Sequence, residues 1–212
     1  MQPTAGQGVA VKLVLVSQRV EVNTATTERR DMLDQRWALL LAQAGFIAMP
    51  VPNLLPLTTE SFSGLTIAGV VLSGGNDLVA YGGDAPERDA QESTLLELAR
   101  LQQWPVLGIC RGMQLLTHST GGQLQQIGGH VAVRHQLNFA GQNRSVNSFH
   151  RWACLPDLQQ WQVTAQSADQ SIEAIAHRSL PWCGWMWHPE REAEFHPQDV
   201  QFIHDFFSGS AS

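Results

Sequence analysis

The chain has 212 residues, 43% hydrophobic and 15% charged, which is enough apolar material for one sizeable core, and we expect a single domain spanning 1–212. Nineteen acidic against 13 basic residues leave a formal charge of -6 with no Lys/Arg block, so nucleic acid is excluded as an expected partner. Three widely spaced cysteines (Cys110, Cys154, Cys183), no apolar run of membrane-spanning length and a start without a cleavage pattern lead us to expect a cytoplasmic chain that neither meets a membrane nor relies on disulfides.

Residues 9–16 (VAVKLVLV) are a short, continuous, β-branched run, the pattern of a strand covered on both faces. Over 28–44 the apolar residues Met32, Leu33, Trp37, Leu40 and Leu41 recur at helical spacing and Gly45 follows as a stop, so the spacing predicts a helix. Residues 68–72 (AGVVL) read as the next buried strand, running into Ser73-Gly74-Gly75-Asn76-Asp77, where glycine permits a sharp turn. A helix is expected over 87–103, broken by Trp104-Pro105, then a short strand over 106–109, then Cys110, then a helix over 112–120 ended by Gly121-Gly122. Alternating segments at 131–135, 161–165, 172–176 and 183–187 read as strands and hairpins beside the parallel sheet. A last helix over 197–207 turns Val200, Ile203, Phe206 and Phe207 to a core before a fraying tail, SGSAS. This order predicts an α/β three-layer sandwich, mostly parallel and flavodoxin-like in its first half with antiparallel strands added in the second, and a site at the carboxyl edge of the parallel strands.

Gly108-Ile109-Cys110-Arg111-Gly112 sets a thiol between a strand and a helix, flanked by glycines, which is the context of a nucleophile elbow. The helix that follows aims its first N–H groups at the same point, and the Arg111 N–H is an oxyanion donor in that geometry. Cys154 and Cys183 lack such a setting and read as buried, inert thiols. A cysteine nucleophile needs a proton carrier, and His188-Pro189-Glu190 follows directly on the strand at 183–187. Pro189 takes the chain out of the sheet, Glu190 is placed to fix one imidazole nitrogen, and the other nitrogen would face Cys110. His118, His130, His135, His177, His196 and His204 show no paired metal-ligand spacing and read as surface or core residues, so no metal and no cofactor is expected.

GICRGMQLL, SGGND after a buried strand, and the terminal WHPE resemble the class I glutamine amidotransferases over most of the chain. VNSFH at 146–150 and Arg88, Asp89 and Glu92 resemble the free-standing γ-glutamyl hydrolase (peptidase C26) branch, while VSQRV, ERRDMLDQRW and WMWHPERE are similar to members acting on a nucleotide-linked amide in capsule decoration. The resemblance implies Cys110 as nucleophile, His188 as acid/base, Glu190 as its orienter, and oxyanion donors from Gly74, Gly75 and Arg111. It implies Gln114 against the γ-glutamyl group and Asn147, Ser148, Phe149 and His150 around the glutamate α-amino and α-carboxylate groups. Arg19, after the first strand and near the expected helix start Glu28-Arg29-Arg30, is placed to pair with a diphosphate. The expected activity is hydrolysis of a γ-glutamyl amide through a glutamyl thioester, on γ-glutamyl-CDP-amidate or a related conjugate. The alternatives are a γ-glutamyl-aminobutyrate hydrolase or a glutaminase subunit passing ammonia to a synthetase partner, and a homodimer is compatible with either.

Overall fold

The computed structural model describes residues 11–139 and 141–210. In chain order the strands are β1 (Leu13–Ser17), β2 (Arg19–Asn23), β3 (Glu28–Met32), β4 (Ile47–Val51), β5 (Ile67–Leu72), β6 (Val106–Ile109), β7 (Gln123–Gln126), β8 (Val131–Phe139), β9 (Gln142–Phe149), β10 (Trp152–Leu155), β11 (Trp161–Gln166), β12 (Ile172–His177) and β13 (Trp182–Trp185). The α-helices are α1 (Arg36–Gln43), α2 (Pro86–Gln102), α3 (Arg111–Ser119) and α4 (Pro197–Ser208).

Among the described residues seven strands form one sheet in the order β11-β12-β13-β6-β5-β1-β4. The pairs from β13 to β4 are parallel, and β12 and β11 are added antiparallel. The α/β reading therefore holds. The central strands lack a polar face because both faces are covered: Val14, Val16, Val71, Leu107 and Ile109 pack on one side with Trp37, Leu40, Leu41, Ile203 and Phe207 of α1 and α4. Their neighbours Leu15, Val70, Leu72 and Val106 turn to the other side, against Leu95 and Ala99 of α2 and Met113 and Leu116 of α3. Period-2 alternation inside a continuous apolar run thus divides one sheet between two cores.

The segment expected as a helix over 28–44 is corrected. Helix α1 begins only at Arg36, and Glu28–Met32 pairs antiparallel with Arg19–Asn23 as a two-stranded hairpin. Glu28-Arg29-Arg30 therefore starts no helix: Arg29 donates from Nε to Glu87 Oε1 at 2.6 Å, and Arg30 pairs with Glu28. Residues 9 and 10 of the expected first strand and the last two residues of SGSAS lie outside the described residues. No described helix is long and apolar enough to cross a membrane.

A buried ion cluster ties the carboxyl edge together. Glu92 of α2, fully buried, accepts from Ser17 Oγ (2.7 Å) at the end of β1 and from Arg88 Nε (2.9 Å), and its other oxygen accepts from Arg111 at the start of α3. Arg88 in turn donates to the carbonyls of Ser73 and Gly75, both at 2.6 Å, fixing the glycine loop after β5. Burial alone would raise the Glu92 carboxyl, but Arg111 and Arg88 hold it below its ordinary value. Glu92→Gln leaves two buried guanidinium groups without their counter-charge, and we expect a loss of about 3 kcal/mol or more, a fall in Tm on the order of 10 °C. Because the folded pKa is depressed, the Glu92 contribution is complete above the ordinary glutamate value of 4.5 and is lost as pH falls beneath it. The gap between the melting curves of wild type and variant should therefore be constant from pH 8 to 5 and close on further acidification.

Candidate active site

β6 ends at Ile109 and α3 begins at Arg111, so Cys110 alone makes the turn. Its backbone takes φ 51°, ψ -103°, a conformation that costs a residue with a Cβ and persists only where the surroundings impose it. The surroundings are backbone in close contact: a Cβ on Gly108 would stand 2.6 Å from Gly112 C, and one on Gly112 would strike the Leu72 carbonyl. The neighbouring strand adds a hydrogen bond from the Cys110 N–H to Trp185 O at 2.7 Å. The result is a sulfur at the carboxyl edge of β6, 7% exposed, at the N-terminus of α3.

β13 runs parallel to β6 and delivers His188 to the same edge. His188 and Glu190 are both buried, and His188 Nδ1–H donates to Glu190 Oε1 at 2.7 Å. Burial alone would depress the imidazole pKa, but the proximity of Glu190 and of the Cys110 sulfur outweighs it and holds His188 at about 9. The ring lies against Gly74, where a Cβ would come within 2.5 Å of His188 Cε1. Gly75 takes φ 89°, and the loop thereby turns back beneath Arg19. Phe149 covers the imidazole edge-on, with ring centroids 5.9 Å apart. A sulfur, an imidazole locked by a carboxylate, and the unpaired first N–H groups of α3 together meet the requirements of covalent acyl transfer.

A cavity of about 280 Å³ opens at Cys110 and is lined by Gly75, Asn76, Arg111, Gln114, Phe149 and Arg151 among others. Gln114 and Phe149 both line it beside Cys110. The Arg111 side chain turns inward to Asp89 and Glu92, leaving for the site the backbone N–H that the sequence reading singles out. Asn147 and Ser148 are placed differently from expectation. Asn147 Nδ2 donates to His188 O (2.8 Å) and Glu192 Oε1 (2.9 Å), while its Oδ1 accepts from the His188 N–H (2.8 Å). Ser148 Oγ donates to His130 O at 2.8 Å. Both side chains are buried and bond to protein groups rather than lining the cavity. His150 borders the cavity, yet its ring points into a second cluster. His130, His135, His150 and Glu173 place four candidate ligand atoms within 4.8 Å of one another, a grouping that the sequence reading of His130 and His135 as surface or core residues does not include. Their sequence separations carry no metal-ligand signature because they come from β8, the ends of the β8–β9 hairpin and β12.

Arg19 is half-exposed and stands over Gly75. It lines a cavity of about 230 Å³ with Ser73, Gly74, Glu190 and Arg191, while Gly75, Cys110 and Gln114 line the other. Cys154 and Cys183 are deeply buried, and burial pushes the Cys154 thiol up to about 12 and the Cys183 thiol well above its ordinary value. Neither is suited to form a thiolate.

Residues 11–190 match the Peptidase C26 family. The chain is 30% identical over 198 residues to the gamma-glutamyl-CDP-amidate hydrolase of Campylobacter jejuni, covering 91% of this chain and 96% of that one. It is 35% identical over 122 residues to the glutamine-hydrolyzing GMP synthase subunit of Methanothrix thermoacetophila, covering 53% of this chain and 66% of the relative. Among solved structures, a Thermoplasma acidophilum protein described as a GMP synthase subunit superposes with a TM-score of 0.68 at 20% identity, over 96% of this chain and 95% of that one. At that identity it shows the fold alone. The extent of the family match, with the full-length likeness to a hydrolase, leads to one conclusion: the chain belongs to the peptidase C26 family of hydrolases, on the class I glutamine amidotransferase fold.

Proposed function

We propose that the protein hydrolyses a γ-glutamyl amide with Cys110 as nucleophile, His188 as acid and base, and Glu190 as the carboxylate that orients His188. The observation that carries this reading is the buried 2.7 Å bond from His188 Nδ1–H to Glu190, beside a cysteine held at a left-handed turn. Glu190 rather than Glu192 takes the third role, since Glu192 is engaged by Asn147 and Arg134. The sulfur attacks the γ-carbonyl, a C–S bond forms, and the tetrahedral oxyanion meets the backbone N–H groups of Arg111 and of the Gly74-Gly75 loop. His188 passes its proton to the departing nitrogen as the C–N bond breaks. Water, deprotonated by His188, then cleaves the glutamyl thioester, releasing glutamate and restoring the thiol.

The leaving group we propose is a nucleotide phosphoramidate, with γ-glutamyl-CDP-amidate or a related conjugate as substrate. The full-length likeness to the C. jejuni enzyme supports this, and so does Arg19, whose guanidinium among the described residues meets only the exposed Glu21 at 3.5 Å and stands beside the glycine loop. A planar guanidinium matches a diphosphate bidentately. The GMP synthase relatives favour a second reading, in which glutamine is the substrate and ammonia passes to a separate synthetase chain.

Cys110→Ala should abolish glutamate release without loss of folded protein, and His188→Ala should come close to it. Glu190→Gln should be roughly one to two orders of magnitude milder, because the carboxylate acts through the imidazole. The pH profile separates this role from a merely structural one. The His188 pKa is raised to about 9, so the proton donor is lost, and kcat/KM falls, as pH rises through 9. Removing the Glu190 charge lowers that pKa, and the basic limb of the Glu190→Gln profile should move to lower pH. An unmoved limb would refute Glu190 as the orienting group.

Arg19→Ala tests the leaving group. The kcat/KM for γ-glutamyl-CDP-amidate should fall tenfold to a hundredfold, about 1.5–3 kcal/mol, with glutamine and γ-glutamyl-aminobutyrate unaffected. Equal turnover of the three compounds by the wild type, or an equal loss on all three in the variant, would overturn the nucleotide assignment and leave the γ-glutamyl hydrolase reading in place.

A further inference from the structure

The β8–β9 hairpin ends on a group of side chains that the reaction does not use. His130 precedes β8, His135 lies within it, His150 follows β9, and Glu173 reaches them from β12 of the central sheet. His130, His150 and Glu173 are 2%, 3% and 0% exposed.

The hydrogen bonds on the far side of two rings decide what the near side offers. His130 Nε2 lies 2.8 Å from Asp169 Oδ2, and His150 Nδ1 lies 3.1 Å from Trp152 O. A carboxylate and a carbonyl can only accept, so each of these nitrogens carries the proton. In the neutral form of each ring, the lone pairs of His130 Nδ1 and His150 Nε2 then face inward. They stand 3.6 Å from Glu173 Oε1 in both cases, and His135 Nε2 stands 4.0 Å from it. None of these nitrogens, nor either Glu173 oxygen, has a hydrogen-bond partner among the described residues.

Three imidazole nitrogens and a buried carboxylate facing one another without a donor repel unless a cation lies between them. Among the described residues only these three histidines lie within ion-pair distance of Glu173, and no Arg or Lys does. A dication would balance Glu173 and Asp169 together.

We propose that His130 Nδ1, His135 Nε2, His150 Nε2 and Glu173 hold a structural zinc ion that fastens the β8–β9 hairpin to the edge of the central sheet. Ligands at 2.0–2.1 Å in a tetrahedron stand about 3.3 Å apart, so closing the cluster around an ion requires shifts of only some tenths of an ångström to about an ångström. Imidazole and carboxylate donors without thiolate suit zinc, and four protein ligands leave no open coordination position, which makes the role structural. The outer bonds to Asp169 and the Trp152 carbonyl are the usual means of fixing the ring orientation of a metal ligand. The site stands independently of the proposed reaction.

Full-length protein purified without a polyhistidine tag is the material for the test. After treatment with a chelator and its removal, zinc titrated against a competing indicator should bind at one ion per chain, with a Kd below about 1 µM. Zinc at a hundredfold excess over Kd should raise Tm by about 5–10 °C. Cobalt(II) in its place should give the intense visible bands of tetrahedral coordination. His135→Gln, at the most exposed of the four ligands, should keep the fold yet weaken zinc more than about a hundredfold, exceeding the loss typical of an outer-shell partner. The zinc-dependent Tm shift should vanish in Glu173→Gln, where a neutral amide also relieves the buried charge of the apo protein. The proposal is overturned if the chelator-treated wild type binds no zinc tighter than 10 µM, if His135→Gln and Glu173→Gln bind it as the wild type does, or if the cobalt spectrum is octahedral.

Discussion

Glu92 is the constraint on which the geometry of the catalytic edge depends. One buried carboxylate from α2 meets the end of β1 through Ser17, the glycine loop after β5 through Arg88, and the residue following the nucleophile through Arg111. Ordinarily a buried ion pair adds little net stability, because desolvation offsets attraction. Here its value lies in position. Three backbone segments from separate parts of the chain converge on the same two oxygens, so the Gly74-Gly75 loop and the N-terminus of α3 keep their spacing. The cost of burial is visible in Arg88, whose pKa falls to about 10 despite its acidic neighbour.

That fixed frame makes the strain at Cys110 tolerable. A left-handed non-glycine residue costs on the order of 1–3 kcal/mol, and the surrounding structure must impose it. β6 is pinned between β5 and β13, and α3 is pinned by Arg111 to α2, so the single residue between them has no conformation free of the turn. The same sheet brings His188 to the nucleophile, since β13 and β6 are parallel neighbours in matched register although 78 residues separate His188 from Cys110. The distance between the two groups is therefore a property of strand order rather than of either motif.

The residues of the proposed site were legible in the sequence because each is announced locally: a glycine-flanked cysteine between strand and helix, and a tripeptide at a strand exit. The parallel strands were legible for a related reason, since continuous apolar runs of 4–6 residues leave little alternative. The failure of 28–44 to form one helix has a definite cause. Trp37, Leu40 and Leu41 do form a helical face, but residues 28–31 (ERRD) add no apolar side chain to it, and Val20 and Val22 alternate with charged residues in the style of a strand. β4 carries a weak strand signal because Pro50 lies within it, and proline is tolerated there because β4 is an edge strand. The roles of Asn147 and Ser148 depended on which protein groups each one bonds, and the histidine cluster on a pairing between distant segments. Neither is recorded in local spacing.

The β8–β9 hairpin shows why that second kind of information matters for the site. Near its turn, Arg144 makes a bidentate pair with Asp199 of α4, both bonds at 2.7 Å, with Trp187 stacked 5.3 Å beneath the guanidinium. At its open end, His130 and His150 face Glu173. Between these anchors Asn147 grips both the N–H and the carbonyl of His188, and Phe149 covers the imidazole. His188 is thus positioned twice, by β13 from below and by the hairpin from the side. A shift of the hairpin by a fraction of an ångström would move the histidine backbone against a sulfur that Glu92 and the elbow hold still. Rigidity at both ends of the hairpin is therefore a condition on the proton carrier, and side chains remote from the reacting bond share control of the geometry on which the chemistry depends.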